Sequence, residues 1–173
     1  KTNEVQHEAI IRIDDVSRDF FVGQNTIPAV KNINLKIYAT DFAVVFGPSG
    51  CGKSTLLNLM LGLDIPSRGT IKVRDKTINT LEEDERADFR AKKMGVVHQM
   101  PYWIKSLTTI ENVALPLIIQ GVEESNAIRQ ARKIMSDLGI VEYSGQIPTQ
   151  LSGGQQQKAG VARALVTNPW ILM

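Results

Sequence analysis

Phe42-Ala43-Val44-Val45-Phe46-Gly47-Pro48-Ser49-Gly50-Cys51-Gly52-Lys53-Ser54-Thr55 is the stretch on which the fold turns. It opens with a continuous apolar run from Phe42 to Phe46, the pattern of a strand covered on both faces. Gly47 to Ser54 then fit G-x-x-x-x-G-K-[ST] in full, between that strand and a helix reading from about Gly52 to Leu63. The chemistry follows from residue type. Gly47, Gly50 and Gly52 let backbone amides turn inward around phosphate groups with no side chain in the way. Lys53 brings a point charge to the outer phosphates. The Ser54 hydroxyl can enter the shell of Mg²⁺, which takes few protein oxygens beside phosphate oxygens and water. Thr55 is a further phosphate contact, and Pro48, Ser49 and Cys51 complete the loop. Cys51 is read as a small residue that the position tolerates, in preference to a redox switch. A glycine-rich turn with a surface lysine is the bland alternative, and the placement between strand and helix argues against it.

Downstream, Leu151-Ser152-Gly153-Gly154-Gln155 opens a helical run from Gln156 to Val166. Ser152 supplies a hydroxyl, Gly153 and Gly154 leave amides uncovered, and the helix points its positive end at whatever docks there. Taken alone, these residues also suit an N-cap serine on a flexible turn.

The rest of the chain sets bounds. Its 173 residues hold one domain with a real core, and 43% hydrophobic with 22% charged residues is ordinary for a globular protein. A net charge of +2 offers no electrostatic footprint for nucleic acid. The lone Cys51 excludes an internal disulfide and reads as a reduced cytosolic thiol. No apolar run approaches a membrane span, since Val113 to Ile119 is short and broken by Pro116. The polar stretch Lys1 to Glu8 lacks the core of a signal peptide. Without an initiator methionine, and with an apolar run Trp170 to Met173 that reads as a buried strand at its end, the chain is expected to be a fragment.

Ile11 and Ile13 alternate with Arg12 and Asp14, and Ile33 to Ile37 alternate likewise after a turn at Gly23-Gln24-Asn25; both predict strands of an antiparallel patch. Gly69 to Val73 reads as a short strand. Leu81 to Lys93 reads as a helix with early acids and late bases. Met94 to Val97 reads as a buried strand ending at His98 and Gln99. Helices over Ile110 to Gln120 and Ser125 to Leu138 meet at Gly121, the second with a core stripe of Ile128, Ala131, Ile134, Met135 and Leu138. Strands alternating with helices predict a mainly parallel α/β sheet.

Together these motifs resemble the nucleotide-binding subunit of ATP-binding cassette (ABC) transporters, over nearly the whole chain from about Ile10. Gly47 to Ser54 corresponds to Walker A, Gln99 to the Q-loop glutamine, Leu151 to Gln155 to the ABC signature, and Trp170 to Met173 to the apolar half of Walker B. Gly47 to Asn58, Leu107 to Leu117 and Gln155-Gln156-Gln157 resemble the branch of lipoprotein release, macrolide export and cell division. Three departures stand out: Lys158 where arginine is usual, Gly160 inside the signature helix, and the aromatic stretch Met100-Pro101-Tyr102-Trp103-Ile104. That stretch is expected either to shape a groove for a membrane partner or to pack as core.

The resemblance implies an α/β P-loop (RecA-like) core at 41–65, 81–98 and 156–173. It adds an antiparallel β subdomain at 10–40 and 69–80 and a helical signature subdomain at 99–155, with the carboxy-terminal part missing. It implies ATP and Mg²⁺ as ligands. ATP would be held by Phe20, stacked on adenine with Phe21 as rival, and by Gly47 to Thr55. Lys53 and Gln99 would be catalytic, and Ser54 and Gln99 would face the metal. Ser152, Gly153, Gly154 and Gln155 would bind the nucleotide of a second copy in a head-to-tail homodimer. The Walker B aspartate, catalytic glutamate, D-loop and switch histidine are expected beyond Met173, since His7 and His98 lie too far upstream. ATP hydrolysis is therefore expected of the complete protein and not of this chain. Transmembrane permease subunits are the implied partners, at the inner face of the cell membrane. A nucleotide-dependent cell-division scaffold and a soluble ABC ATPase acting on DNA or ribosomes are the alternatives; no zinc module or coiled coil fits between Ser54 and Leu151 to favour the latter.

Overall fold

The computed structural model describes residues 8–173; the polar Lys1–His7 stretch lies outside them. The chain divides into two compact units, Lys1–Ala87 and Asp88–Met173.

The first unit is built on a four-stranded sheet in the order β2-β1-β3-β4, comprising β1 (Ala9–Val22), β2 (Asn25–Tyr38), β3 (Arg68–Val73) and β4 (Lys76–Thr77). All its pairings are antiparallel. Alternation explains the register: Ile11 lies opposite Ile37 and Val73, and Ile13 opposite Leu35 and Ile71. Ile11, Ile13, Ile71 and Val73 are buried on one face, while Arg12, Lys36 and Lys72 are exposed on the other. Gly23 turns with φ 61° in the tight connection from Val22 to Asn25. Beyond the sheet, α1 (Lys53–Met60) follows the glycine-rich loop and buries Leu59 and Met60.

The expected strand from Phe42 to Phe46 is absent. The run has no ladder partner among the described strands, and Phe42 and Phe46 are 94% and 89% exposed. Apolar residues favour a covered strand only where neighbouring strands take up the backbone N–H and C=O groups. No described strand takes that position beside it.

The unit boundary falls within α2 (Glu83–Lys93), whose first turn carries Glu83, Asp84 and Glu85 and whose last carries Arg90, Lys92 and Lys93. In the second unit, β5 (Met94–Gly95) pairs in parallel with β6 (Ile171–Leu172). Further backbone bonds lengthen this ladder, from Trp170 N to Lys93 O (2.8 Å) and from Val97 N to Met173 O (2.7 Å). The described strands thus form two sheets, the expected antiparallel patch of four strands and a parallel sheet that among the described residues consists of this pair alone. The terminal apolar run is a strand, but Leu172 is 47% exposed, so it is less covered than its composition suggests.

Three α-helices, α3 (Thr109–Ile119), α4 (Glu124–Asp137) and α5 (Gly153–Leu165), form most of the rest, with short 3-10 turns at Val141–Tyr143 and Pro148–Gln150. Val113 and Ala114 of α3, Ala127, Ala131 and Met135 of α4, and Ala159 and Ala162 of α5 make one buried core. Ile128, Ile134 and Leu138 pack at its margin, as the stripe on α4 predicts. Among the described residues no helix is long and apolar enough to cross a membrane.

Candidate functional site

The loop from Gly47 to Ser54 is shaped by glycines that the chain itself demands. Gly52 is the N-cap of α1 with φ 92°, and a Cβ there would lie 2.2 Å from the carbonyl oxygen of Ala29. Gly50 also has positive φ, at 79°. Because Gly52 has no side chain, α1 begins with no side-chain cap, leaving its first amides to an external acceptor. The Lys53 ammonium folds back over the loop, donating to the carbonyl oxygens of Gly47 (2.9 Å) and Pro48 (2.7 Å). It also lies 3.8 Å from Cys51 Sγ, an exposed free thiol. Ser54 is exposed at the first turn and Thr55 half-buried beside it.

Open amides, a fixed ammonium and a hydroxyl at one helix start fit a phosphate chain. Among the described residues no three His, Cys, Asp or Glu side chains gather to hold a metal ion. The Ser54 hydroxyl suits magnesium held chiefly by phosphate oxygens and water.

Phe20 lies on β1, whose partner strand β2 abuts this loop. It pairs with Ile27, two residues before the Ala29 whose carbonyl abuts Gly52. One ring face is covered by the Arg18 guanidinium at 4.7 Å, itself held by Asp64 at 2.8 Å. Phe20 is 39% exposed, whereas Phe21 is 78% exposed and has no such support.

Gln99 and the Ser152–Gln155 run belong to the second unit. Gln99 is exposed, in a bend where the rings of His98 and Tyr102 meet edge to face with centroids 5.7 Å apart. Ser152 caps α5 with a complete capping box: Ser152 N donates to Gln155 Oε1 at 2.8 Å, and Gln155 N donates to Ser152 Oγ at 3.4 Å. Gly153 and Gly154 are exposed, and a Cβ on either would meet nothing within 4 Å. Lys158 is exposed on the same helix.

These features decide the family when set beside known proteins. Residues 30–173 match the ABC transporter family. The chain belongs to the ABC transporter family. Its ABC relatives include an uncharacterized ABC transporter ATP-binding protein of Methanocaldococcus jannaschii, MJ1508. This is 40% identical over 94% of this chain and 73% of the relative. The macrolide export ATP-binding/permease protein MacB of Mannheimia succiniciproducens is 38% identical over 95% of the chain, which spans only 26% of MacB. The dimeric post-hydrolysis structure of the ATP-binding cassette MJ0796, bound to ADP and Pi, superposes with a TM-score of 0.84 at 36% identity. The match covers 94% of this chain and 72% of that one. The α/β P-loop class expected of this ABC chain therefore holds, and the unpaired Phe42–Phe46 run is a local difference.

Several residues escaped sequence reading. Asn112, wholly buried, accepts from Ile104 N at 2.9 Å and donates to the carbonyls of Ile104, Leu107 and Thr108. It thereby fixes the loop leading into α3; its signal is one amide in an apolar helical stripe. Thr108 and Glu111 form a second capping box at that helix start, and the Thr108 hydroxyl and amide bonds hold the Glu111 carboxyl below its ordinary range. Trp103 packs against the helical core, whereas Tyr102 is exposed. Burial lowers the pKa of Arg163, which stacks on Trp103 and stays cationic at neutral pH.

Proposed function

We propose that this chain is the ATP-binding part of an ABC-type membrane transport or extraction complex. The observation that carries the reading is the uncapped start of α1 with Lys53 set over the loop. The loop amides and Lys53 bind the β- and γ-phosphates, and Phe20 stacks on the base with its other face on Arg18. A bound magnesium ion would neutralise developing charge on the phosphates. Ser54 and Gln99 are the residues that would hold it, and Gln99 would orient the attacking water. Ser152 to Gln155 of a second copy close over the γ-phosphate in a head-to-tail dimer.

The subdomain division at 10–40 with 69–80, at 41–65 with 81–98 and 156–173, and at 99–155 belongs to this reading. So do hydrolysis by the complete protein, permease subunits as partners and a place at the inner face of the membrane. The MacB likeness favours a transport role over the scaffold and soluble alternatives.

Two measurements test it. Lys53→Ala should abolish ATP binding in calorimetry; retained affinity would refute the phosphate-loop role. In mixed dimers of the complete protein, Ser152→Ala in one copy should impair one composite site and spare the other. Equal loss at both sites would count against the head-to-tail arrangement.

A further inference from the structure

The peptide unit joining Leu151 to Ser152 is held at both of its polar ends by neighbouring glutamines. Gln155 Oε1 accepts from the Ser152 N–H at 2.8 Å, and Gln156 Nε2 donates to the Leu151 carbonyl at 3.0 Å. The Gln156 amide is oriented in turn, because its Oε1 accepts from the Trp103 indole N–H at 3.0 Å. An indole only donates, so this bond fixes which end of the amide faces Leu151.

Trp103 is itself clamped. The Arg163 guanidinium lies 4.5 Å over its ring, and Arg163 Nη1 donates to the Tyr102 carbonyl at 2.7 Å. The ring of Tyr102 meets that of His98, so the bend containing Gln99 is continuous with this clamp. A contiguous set of ring contacts and hydrogen bonds thus runs from the Gln99 bend through Trp103 and Gln156 to the peptide plane that carries Ser152.

We propose that Trp103 and Gln156 are positioning residues for Ser152: they set the Leu151–Ser152 peptide plane, so that displacement of the Gln99 bend re-aims the serine hydroxyl. This rests on the reading that Ser152 engages the nucleotide of a second copy. Phosphate contact needs the hydroxyl aimed to within a fraction of an ångström, and a plane held at both ends allows little drift.

The test compares Trp103→Phe, Gln156→Ala, their double variant and Ser152→Ala in the complete protein, by steady-state ATPase. Trp103→Phe keeps an aromatic ring under Arg163 and deletes the donor together with part of the indole's packing against the core. One hydrogen bond lost should lower kcat about three- to tenfold, with KM for ATP and nucleotide affinity of the phosphate loop unchanged. The double variant should be no worse than the poorer single one. Hydrogen exchange at the Ser152 amide should quicken in both singles. Additive losses, or wild-type kcat for Trp103→Phe while Ser152→Ala is impaired, would overturn the positioning role alone. An unimpaired Ser152→Ala would overturn the underlying reading and this inference with it.

Discussion

The helix after the phosphate loop starts at Gly52, which has no side chain to cap it, whereas the helix after Leu151 starts at Ser152 with a complete capping box. Both starts are glycine-rich, yet the glycines answer to different demands. At Gly52 the chain's own backbone forbids a Cβ, since Ala29 O would lie 2.2 Å away. At Gly153 and Gly154 nothing in the described chain beyond the adjoining residues and the helix's own backbone comes within 4 Å of where a Cβ would be. The first start has no side-chain cap and looks outward for an acceptor; the second is capped within itself at Ser152 and Gln155, and its glycines are left bare for a close approach. A glycine in a motif therefore says little until its neighbours are known.

The sharpest way to break this contrast is to place alanine at each. Gly52→Ala should cost about 1–3 kcal/mol for the left-handed backbone alone, before the clash, and abolish nucleotide binding. Gly154→Ala should leave denaturant stability unchanged or raise it by up to about 1 kcal/mol, while ATP-driven dimerisation is lost by light scattering. Similar stability for both variants would remove the distinction.

The self-capped start can be sharpened at Ser152. Ser152→Ala should cost about 1 kcal/mol in urea unfolding through the lost cap, whereas Ser152→Asn, an equally good cap, should restore that stability. If Asn also restored ATPase in the complete protein, the hydroxyl would have no role beyond capping.

A smaller effect belongs to the other capping box of the second unit. Hydrogen bonds from Thr108 depress the Glu111 pKa below its ordinary value of 4.5. Folded and unfolded states then differ in bound protons only at low pH. The stabilisation is full above that ordinary value and is lost as pH falls through the depressed one. Glu111→Gln should therefore be less stable than wild type at neutral pH, with the gap narrowing in acid. A gap constant with pH would show that the carboxylate charge is not involved.

The smallest effect is expected at Gly160, buried in the same helix as Gly154. A Cβ there would rest 3.8 Å from Pro101 Cβ, an ordinary contact. Gly160→Ala should stabilise by up to about 1 kcal/mol in thermal unfolding, since helix propensity improves and nothing is displaced. Destabilisation would mean that Pro101 cannot accept the methyl group.

Much of the site could be read from order and residue type. Gly47 to Ser54 carry their reading in spacing, because glycines, a lysine and a serine in that order leave few other uses for the backbone. Ser152 to Gln155 announce a helix start for the same local reason, and the stripe on α4 names its buried face through periodicity. Local chemistry of this kind is written in consecutive residues.

The tertiary structure decided what depends on distant neighbours. Phe42 to Phe46 read as a covered strand but are exposed, because a strand is completed by residues that bond to it and not by its own hydrophobicity. Phe20 is distinguished from Phe21 by Arg18, which Asp64 holds against the ring from 46 residues away. The tie from Trp103 to Gln156 spans 53 residues, and only folding shows that an indole donor and an amide acceptor meet there. Sequence by itself determined which groups this ABC chain can offer to a phosphate. The fold decided which of them are held still, because holding requires contacts between residues far apart in the chain.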